Sequence, residues 1–340
     1  MKFTGWALLP AIFLPIAFAA PVMAQDAATF FKGKQMRLTV GFTPGGGYDA
    51  YTRLLSRHYS RHIAGEPEMI VVNMPGASSF KSVQYLNSGA PKDGTAITAF
   101  NPGLLIQSMT IPDKVTVKFT DFAWIGSISE DLRVCYMWHE TGVKTWPEML
   151  ARKQVIMGDT GAGSSSYVNQ KLLQEVFDVK LKQILGYPGS AEKRLAIERG
   201  ELDGDCGSWT SIGEDWIRDK KINLVLRFSP HVAMGLPESV TYAGDLIQDP
   251  MKKQVYQLLA SSADIGRPFI APKEVPADRV RLLRNAFNAT MKDPKFLADA
   301  EKLRLLVTPM TGEDVDKVLA ELYRAPPDVV RMAKEISGDN

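Results

Sequence analysis

An apolar strand that runs into three consecutive glycines and then directly into a helix constrains this chain more than any other feature: Arg37-Leu-Thr-Val-Gly-Phe-Thr-Pro-Gly-Gly-Gly-Tyr-Asp-Ala-Tyr-Thr-Arg53. Strand-to-helix turns of this kind belong to α/β sheets, whose ligands bind at the carboxyl ends of the strands. The turn aims free backbone N–H groups and the positive end of a helix dipole at one point, which suits an anion. Without a Cβ, Gly45, Gly46 and Gly47 let the backbone approach a ligand closely. Asp49 can cap the helix start. Thr43, Gly45, Gly46, Gly47, Tyr48 and Asp49 are therefore the first candidate binding residues.

The same theme recurs along the chain. Periodicity predicts strand 36–42, helix 50–63 with Tyr51, Leu54, Leu55 and Tyr59 on one side, strand 69–73, helix 80–86 and strand 95–100, a β-α-β-α-β start to a parallel sheet. Pro102 and Gly103 follow the last of these strands and join the candidate site. Further on come strand 134–138, helix 146–151 and strand 154–157. That last strand enters Gly158-Asp-Thr-Gly-Ala-Gly-Ser-Ser-Ser166 and then helix 167–177. In this second amide-rich turn Thr160, Gly161, Ala162, Gly163, Ser164 and Ser165 are candidates, with Ser164 expected to donate to a bound anion. Strand 183–185 enters a third turn with Tyr187 and Gly189, followed by helix 191–199 and strand 224–228. The polar stretch from Gly204 contributes Asp205 and Trp209. Helices 278–291, 294–303 and 312–323 close the pattern. Few cationic side chains lie in these turns, so a ligand's charge should be met by backbone dipoles and hydroxyls.

Other chemistries lack their residues. Gly45 to Ala50 formally fits the dinucleotide fingerprint, but so short a match is weak. The turn 158–166 has no Walker lysine, and Gly163-Ser164-Ser165-Ser166 breaks the nucleophile elbow. His58 and His62 stand four apart with no third ligand at helical spacing, so solvated or capping histidines are expected rather than a metal site. No motif pairs a histidine with a Ser or Cys nucleophile. No cofactor, no metal and no enzymatic activity are expected. With 40 Lys+Arg against 38 Asp+Glu and no long basic run, the chain lacks the clustered positive face that nucleic acid needs. Cys135 and Cys206 could pair in an oxidising compartment if their Cα atoms lie within about 7 Å, or be two small buried hydrophobes; the sequence leaves both open.

The N-terminus reads as a secretory signal peptide over 1–24. Met1-Lys2 is a short positive region, 6–20 is apolar, and Val22-Met23-Ala24 before Gln25 fits a small-residue cleavage site. The remainder is long enough for two domains, each with its own core.

The motifs resemble those of the tripartite tricarboxylate transporter receptor family, the Bug solute receptors. The resemblance rests on Thr43-Pro44-Gly45-Gly46-Gly47-Tyr48-Asp49 with Arg53, Asn73-Met74-Pro75-Gly76-Ala77, and Pro91-Lys92-Asp93-Gly94-Thr95. It continues through Gly161-Ala162-Gly163, Tyr187-Pro188-Gly189, Gly200-Glu201-Leu202-Asp203, and Ala271-Pro272 through Pro276-Ala277. Their order holds from about residue 34 to residue 303. Departures fall at Ser78-Ser79, Tyr48 and the 204–209 stretch, all in the expected cleft. The resemblance implies a type II periplasmic-binding-protein fold, with two α/β lobes, a hinge of crossing strands and a ligand cleft between them. Lobe 1 is expected to comprise 29–126 plus about 246–340, and lobe 2 about 127–245. It further implies a periplasmic, monomeric receptor for a small organic acid, delivering it to the membrane permease subunits of a tripartite transporter. A receptor signalling to a two-component system, or an exported α/β enzyme, are the alternatives.

Overall fold

The computed structural model describes residue 1, residues 27–233 and residues 235–337; apart from Met1, the expected signal peptide lies outside them. α1 (Ala27–Phe30) leads into β1 (Gln35–Val40), and α2 (Gly47–Tyr59) carries the chain to β2 (Glu68–Asn73). α3 (Phe80–Ser88), β3 (Ala96–Ala99), α4 (Gly103–Thr110) and β4 (Ala123–Ser127) complete the first pass. β1 pairs in parallel with β2 on one side and β3 on the other. Tyr51, Leu54, Leu55 and Tyr59 of α2 are all buried, the stripe that its apolar spacing predicts.

A second sheet follows from β5 (Val134–Trp138), α5 (Trp146–Leu150), β6 (Val155–Asp159), α6 (Ser165–Glu175), β7 (Leu181–Leu185), α7 (Ser190–Glu198), β8 (Gly204–Asp205), α8 (Glu214–Arg218) and β9 (Ile222–Arg227). The chain then returns through α9 (Pro250–Ile265) to β10 (Pro268–Ala271). It ends with α10 (Ala277–Thr290), α11 (Pro294–Lys302), β11 (Met310–Thr311), α12 (Gly312–Leu322) and α13 (Pro327–Ser337). The strand orders are β11-β4-β10-β3-β1-β2 and β7-β6-β8-β5-β9. Both sheets are mixed: β10 runs antiparallel to β3 and β4, and β5 antiparallel to β8 and β9.

Two crossings join the sheets, after β4 and before β10, and they lie side by side. Ile128 N donates to Arg267 O (3.1 Å), Arg267 N to Ser129 O (3.0 Å) and Asp131 N to Ala263 O (2.8 Å). These bonds tie the two crossings into one short ribbon. α13 packs on α9, α6 and α4 together, so the C-terminal helix touches elements carried by both sheets.

Cys135 and Cys206 form a disulfide, with Cα atoms 3.9 Å apart. The pairing of Tyr136 with Asp205 across β5 and β8 sets the two cysteines opposite each other. His58 corrects the expectation of a solvated residue. It is buried, its Nε2 lies 2.8 Å from Asp299 Oδ2, and its ring stands edge-on to Phe296 of α11. His62 Nε2 meets Asp293 Oδ2 at 3.0 Å. His58 thus fastens α2 to α11, and His62, in the turn after α2, meets the N-cap residue of α11.

Candidate functional site

The glycine turn before α2 and the turn before α6 face each other across the space between the sheets. Hydrogen bonds already span it. Ser78 Oγ donates to Ala162 O (3.3 Å), Asn101 Nδ2 to Gly163 O (3.0 Å) and Ser165 Oγ to Asn101 Oδ1 (3.0 Å). At the rim, Thr43 Oγ1 donates to Glu192 Oε2 (3.1 Å) and Arg194 Nη2 to Gly45 O (3.3 Å). Asn101 is the centre of this seam. It is buried, its Oδ1 also accepts from Gly103 N (3.0 Å), and its own N–H donates to Ser79 Oγ (2.9 Å).

Behind the seam is a partly open chamber of about 60 Å³, lined among others by Phe42, Gly46, Gly47, Tyr48, Asn101, Asp131, Thr160, Ser164, Ser165, Ser166, Lys193 and Arg267. That is several times the space needed for a single water and fits a small molecule. An outer chamber of about 310 Å³ shares Phe42 and Thr160 with it and is walled by 75–79 and 186–188. Gly47 must be glycine here: a Cβ would lie 2.7 Å from Ser211 Oγ and 3.3 Å from Arg267 Nη2. Gly163 has a left-handed φ of 78°, and a Cβ on it would overlap the Gln107 side chain.

Two buried cations reach the chamber. Lys193 Nζ, on α7, donates to Asp205 Oδ2 (2.6 Å) and Ser166 Oγ (3.3 Å). Arg267, on the return crossing, donates from Nη2 to Asp131 Oδ1 (2.8 Å), Ser208 Oγ (2.5 Å) and Thr210 Oγ1 (3.3 Å). Its guanidinium lies 4.7 Å from the Tyr48 ring centre and 5.3 Å from that of Tyr51, within cation–π range. These cations stand beside the backbone and hydroxyl donors expected at the site, each already paired with an aspartate. Neither cation was read from the sequence: a lysine on an α7 helix rich in charge looks solvated, and Arg267 stands far along the chain from every glycine turn.

Three side-chain atoms around this chamber are buried without a hydrogen-bond partner: the Tyr48 hydroxyl, Thr160 Oγ1 and Arg267 Nε. Buried polar atoms are nearly always paired, so three on one cavity mark a place where a guest supplies the partners. Burial pushes the Tyr48 phenol up to about 12, which keeps its proton available for donation. The start of α6 adds dipole. Ser164 caps it, its Oγ accepting from Tyr167 N at 3.2 Å, and the helix N-terminus favours negative charge.

Of the residues expected at the site, Gly46, Gly47, Tyr48, Thr160, Ser164 and Ser165 line the inner chamber, and Tyr187 the outer one. Thr43, Gly45, Ala162 and Gly163 take part in the bonds across the seam, and Gly161 approaches Ser78. Gly189 packs against Thr43. Pro102 and Gly103 start α4 behind Asn101. Asp205 is occupied by Lys193. Asp49 turns into its own loop: it accepts from Gly45 N (3.0 Å), Arg53 Nε (3.0 Å) and Asn73 Nδ2 (2.9 Å). Burial raises its pKa, but these bonds outweigh it and hold the carboxyl below its ordinary value. Gly46, not Asp49, is the N-cap position of α2, so the carboxylate closes the glycine loop from the first helical turn. Trp209 lines a separate surface cavity with Leu303 and Arg304. Among the described residues no group of His, Cys, Asp and Glu could hold a metal ion, and no helix is long and apolar enough to cross a membrane.

No family model matches the chain. A UPF0065 protein from the gbd 5′ region of Cupriavidus necator is 22% identical over 318 residues, covering 92% of this chain and 91% of that protein. The periplasmic binding protein BugD superposes with a TM-score of 0.72 at 20% identity, over 89% of this chain and 97% of its own. MatC from Rhodopseudomonas palustris, solved with bound malate, gives 0.70 at 15% identity, over 89% and 99%. The chain thus has the two-lobed α/β fold of the periplasmic binding proteins and is similar in fold to the Bug solute-binding proteins.

Proposed function

We propose that this chain is a periplasmic receptor that closes over a small organic carboxylate between its two lobes and delivers it to the permease subunits of a tripartite tricarboxylate-type transporter. The observation that carries the reading is the set of three buried donors without a partner at hydrogen-bond geometry, Tyr48 Oη–H, Thr160 Oγ1–H and Arg267 Nε–H, around one chamber. All three can donate, and the α6 dipole adds a positive bias, while the two cations are each balanced by an aspartate. A carboxylate offers the complementary acceptors. The chamber is too small for a dinucleotide. The signal-like N-terminus supports export, and the bound malate of MatC supports an acid as the class of ligand.

Isothermal calorimetry of the purified protein against succinate, malate, adipate and benzoate, with glucose and NAD as controls, tests this. At least one acid should bind while glucose and NAD do not. A protein that bound glucose or NAD and none of the acids would contradict the proposal.

A further inference from the structure

Resting on the carboxylate reading above, we infer that Arg267 sets the charge selectivity of this receptor: its Nε–H pairs directly with an acid oxygen of the ligand, at the pivot between the lobes. Three charged side chains meet on the hinge ribbon. Asp131 Oδ1 accepts from Arg267 Nη2 (2.8 Å), while Asp131 Oδ2 faces Arg133 Nε (3.3 Å). All three residues are 3% exposed or less. One carboxylate therefore bonds two guanidiniums in a nearly dry place. Arg133 also donates to Ser262 Oγ and feels the charge of Asp264. Arg267 has no acidic partner but Asp131 among the described residues, and of the two arginines only Arg267 lines the chamber.

The geometry of Arg267 fixes what it can do. Tyr48 and Tyr51 lie against the guanidinium, and Nη2 is committed to Asp131, Ser208 and Thr210. Nε is left without a partner. A structural tie alone would not strand a buried charged donor beside a cavity, because each such donor costs its full desolvation. The Tyr48 hydroxyl interacts with the Arg267 guanidinium but has no partner at good hydrogen-bond geometry. An acid group in the chamber satisfies both donors with charge-assisted hydrogen bonds; an amide or alcohol of the same shape offers only neutral ones. Because Arg267 N and O both belong to the hinge ribbon, the ligand's acid group sits where the lobes pivot.

The test compares each acid with its amide: succinate with succinamide, malate with malamide, adipate with adipamide, benzoate with benzamide. Calorimetry on the full protein gives an acid-over-amide ratio for wild type, Arg267→Gln and Arg267→Lys. Circular dichroism and the melting temperature without ligand report whether each variant folds. Wild type should prefer an acid over its amide by roughly 10- to 100-fold, the range for a hydrogen bond to a charged group. Arg267→Gln should bring that ratio near one. Arg267→Lys keeps the charge without the Nε–H fork and should weaken the acid while keeping part of the preference, which retains a readout if the glutamine variant fails to fold. A folded variant with the wild-type ratio overturns the role of Arg267 and leaves the receptor reading intact. Wild type binding none of the acids overturns both.

Discussion

Burial pushes the Asp159 carboxyl, at the end of β6, up to about 7. The groups around it are Lys193, Ser166 and Asp205 toward the chamber, and Gln170 and Gln183, whose Nε2 atoms donate to it at 3.2 and 3.3 Å. The fold holds this proton more tightly than the unfolded chain, whose aspartates titrate near 3.8. Its contribution to stability is thus complete below about pH 4 and is lost as pH rises to about 7, at up to roughly 1.4 kcal/mol per pH unit. Urea unfolding of wild type between pH 4 and 8 should show that loss, and Asp159→Asn should remove it; parallel pH profiles for the two would contradict the assignment. At this scale the sequence told only part of the story. The small residues of the turns, Gly46, Gly47, Thr160 and Ser164, were legible because turn chemistry is local. Asn101, Lys193 and Arg267 were not, because what makes them site residues is a partner across the cleft, a buried aspartate on β8 or a second crossing of the hinge.

Ser164 shows how one side chain serves an element and the site together. Its Oγ caps α6 and also lines the chamber. Ser164→Ala should therefore cost about 1 kcal/mol of stability from the lost cap as well as weaken acid binding. Ser164→Asp separates the two effects: it restores the cap and suits the helix dipole, yet sets a negative charge in the chamber. Its stability should return toward wild type while malate binding falls below that of the alanine variant. Recovery of both together would mean that Ser164 acts only through the helix. The elements themselves were read with uneven success. The amphipathic helices and the strands before glycine turns stand within a few residues of their expected bounds. α4 escaped because Gly103, Leu104, Leu105, Ile106 and Gln107 are all buried, so it has no polar face to give a period. β10 is four buried residues, too short an apolar run to identify. α9 carried a signal that went unused, with Asp249 at its N-cap and Pro250 at its first position.

At the scale of the whole molecule the lobes are joined by one hydrogen-bonded ribbon and meet again along the Asn101 seam, with the chamber between. Arg267 belongs to the ribbon and Tyr48 to the turn before α2, while Thr160 comes from the facing turn. A ligand that bonds all three makes contacts on both sides of the cleft and on its pivot, contacts available only when the lobes are shut. On the proposed reading, that differential affinity would drive closure. The two-lobed plan followed from repeated strand-turn-helix units, whereas the antiparallel strand β10, which brings Arg267 to the floor of the cleft, depends on a return of the chain that no local pattern encodes. On the proposed reading the acid is held in the chamber between the lobes. A crystal structure of the protein grown with the acid that calorimetry ranks tightest tests it most directly. The account predicts electron density for that acid inside the chamber, with its carboxylate within hydrogen-bond distance of Arg267 Nε, the Tyr48 hydroxyl and Thr160 Oγ1. The acid found elsewhere on the molecule, with only water in the chamber, would contradict it.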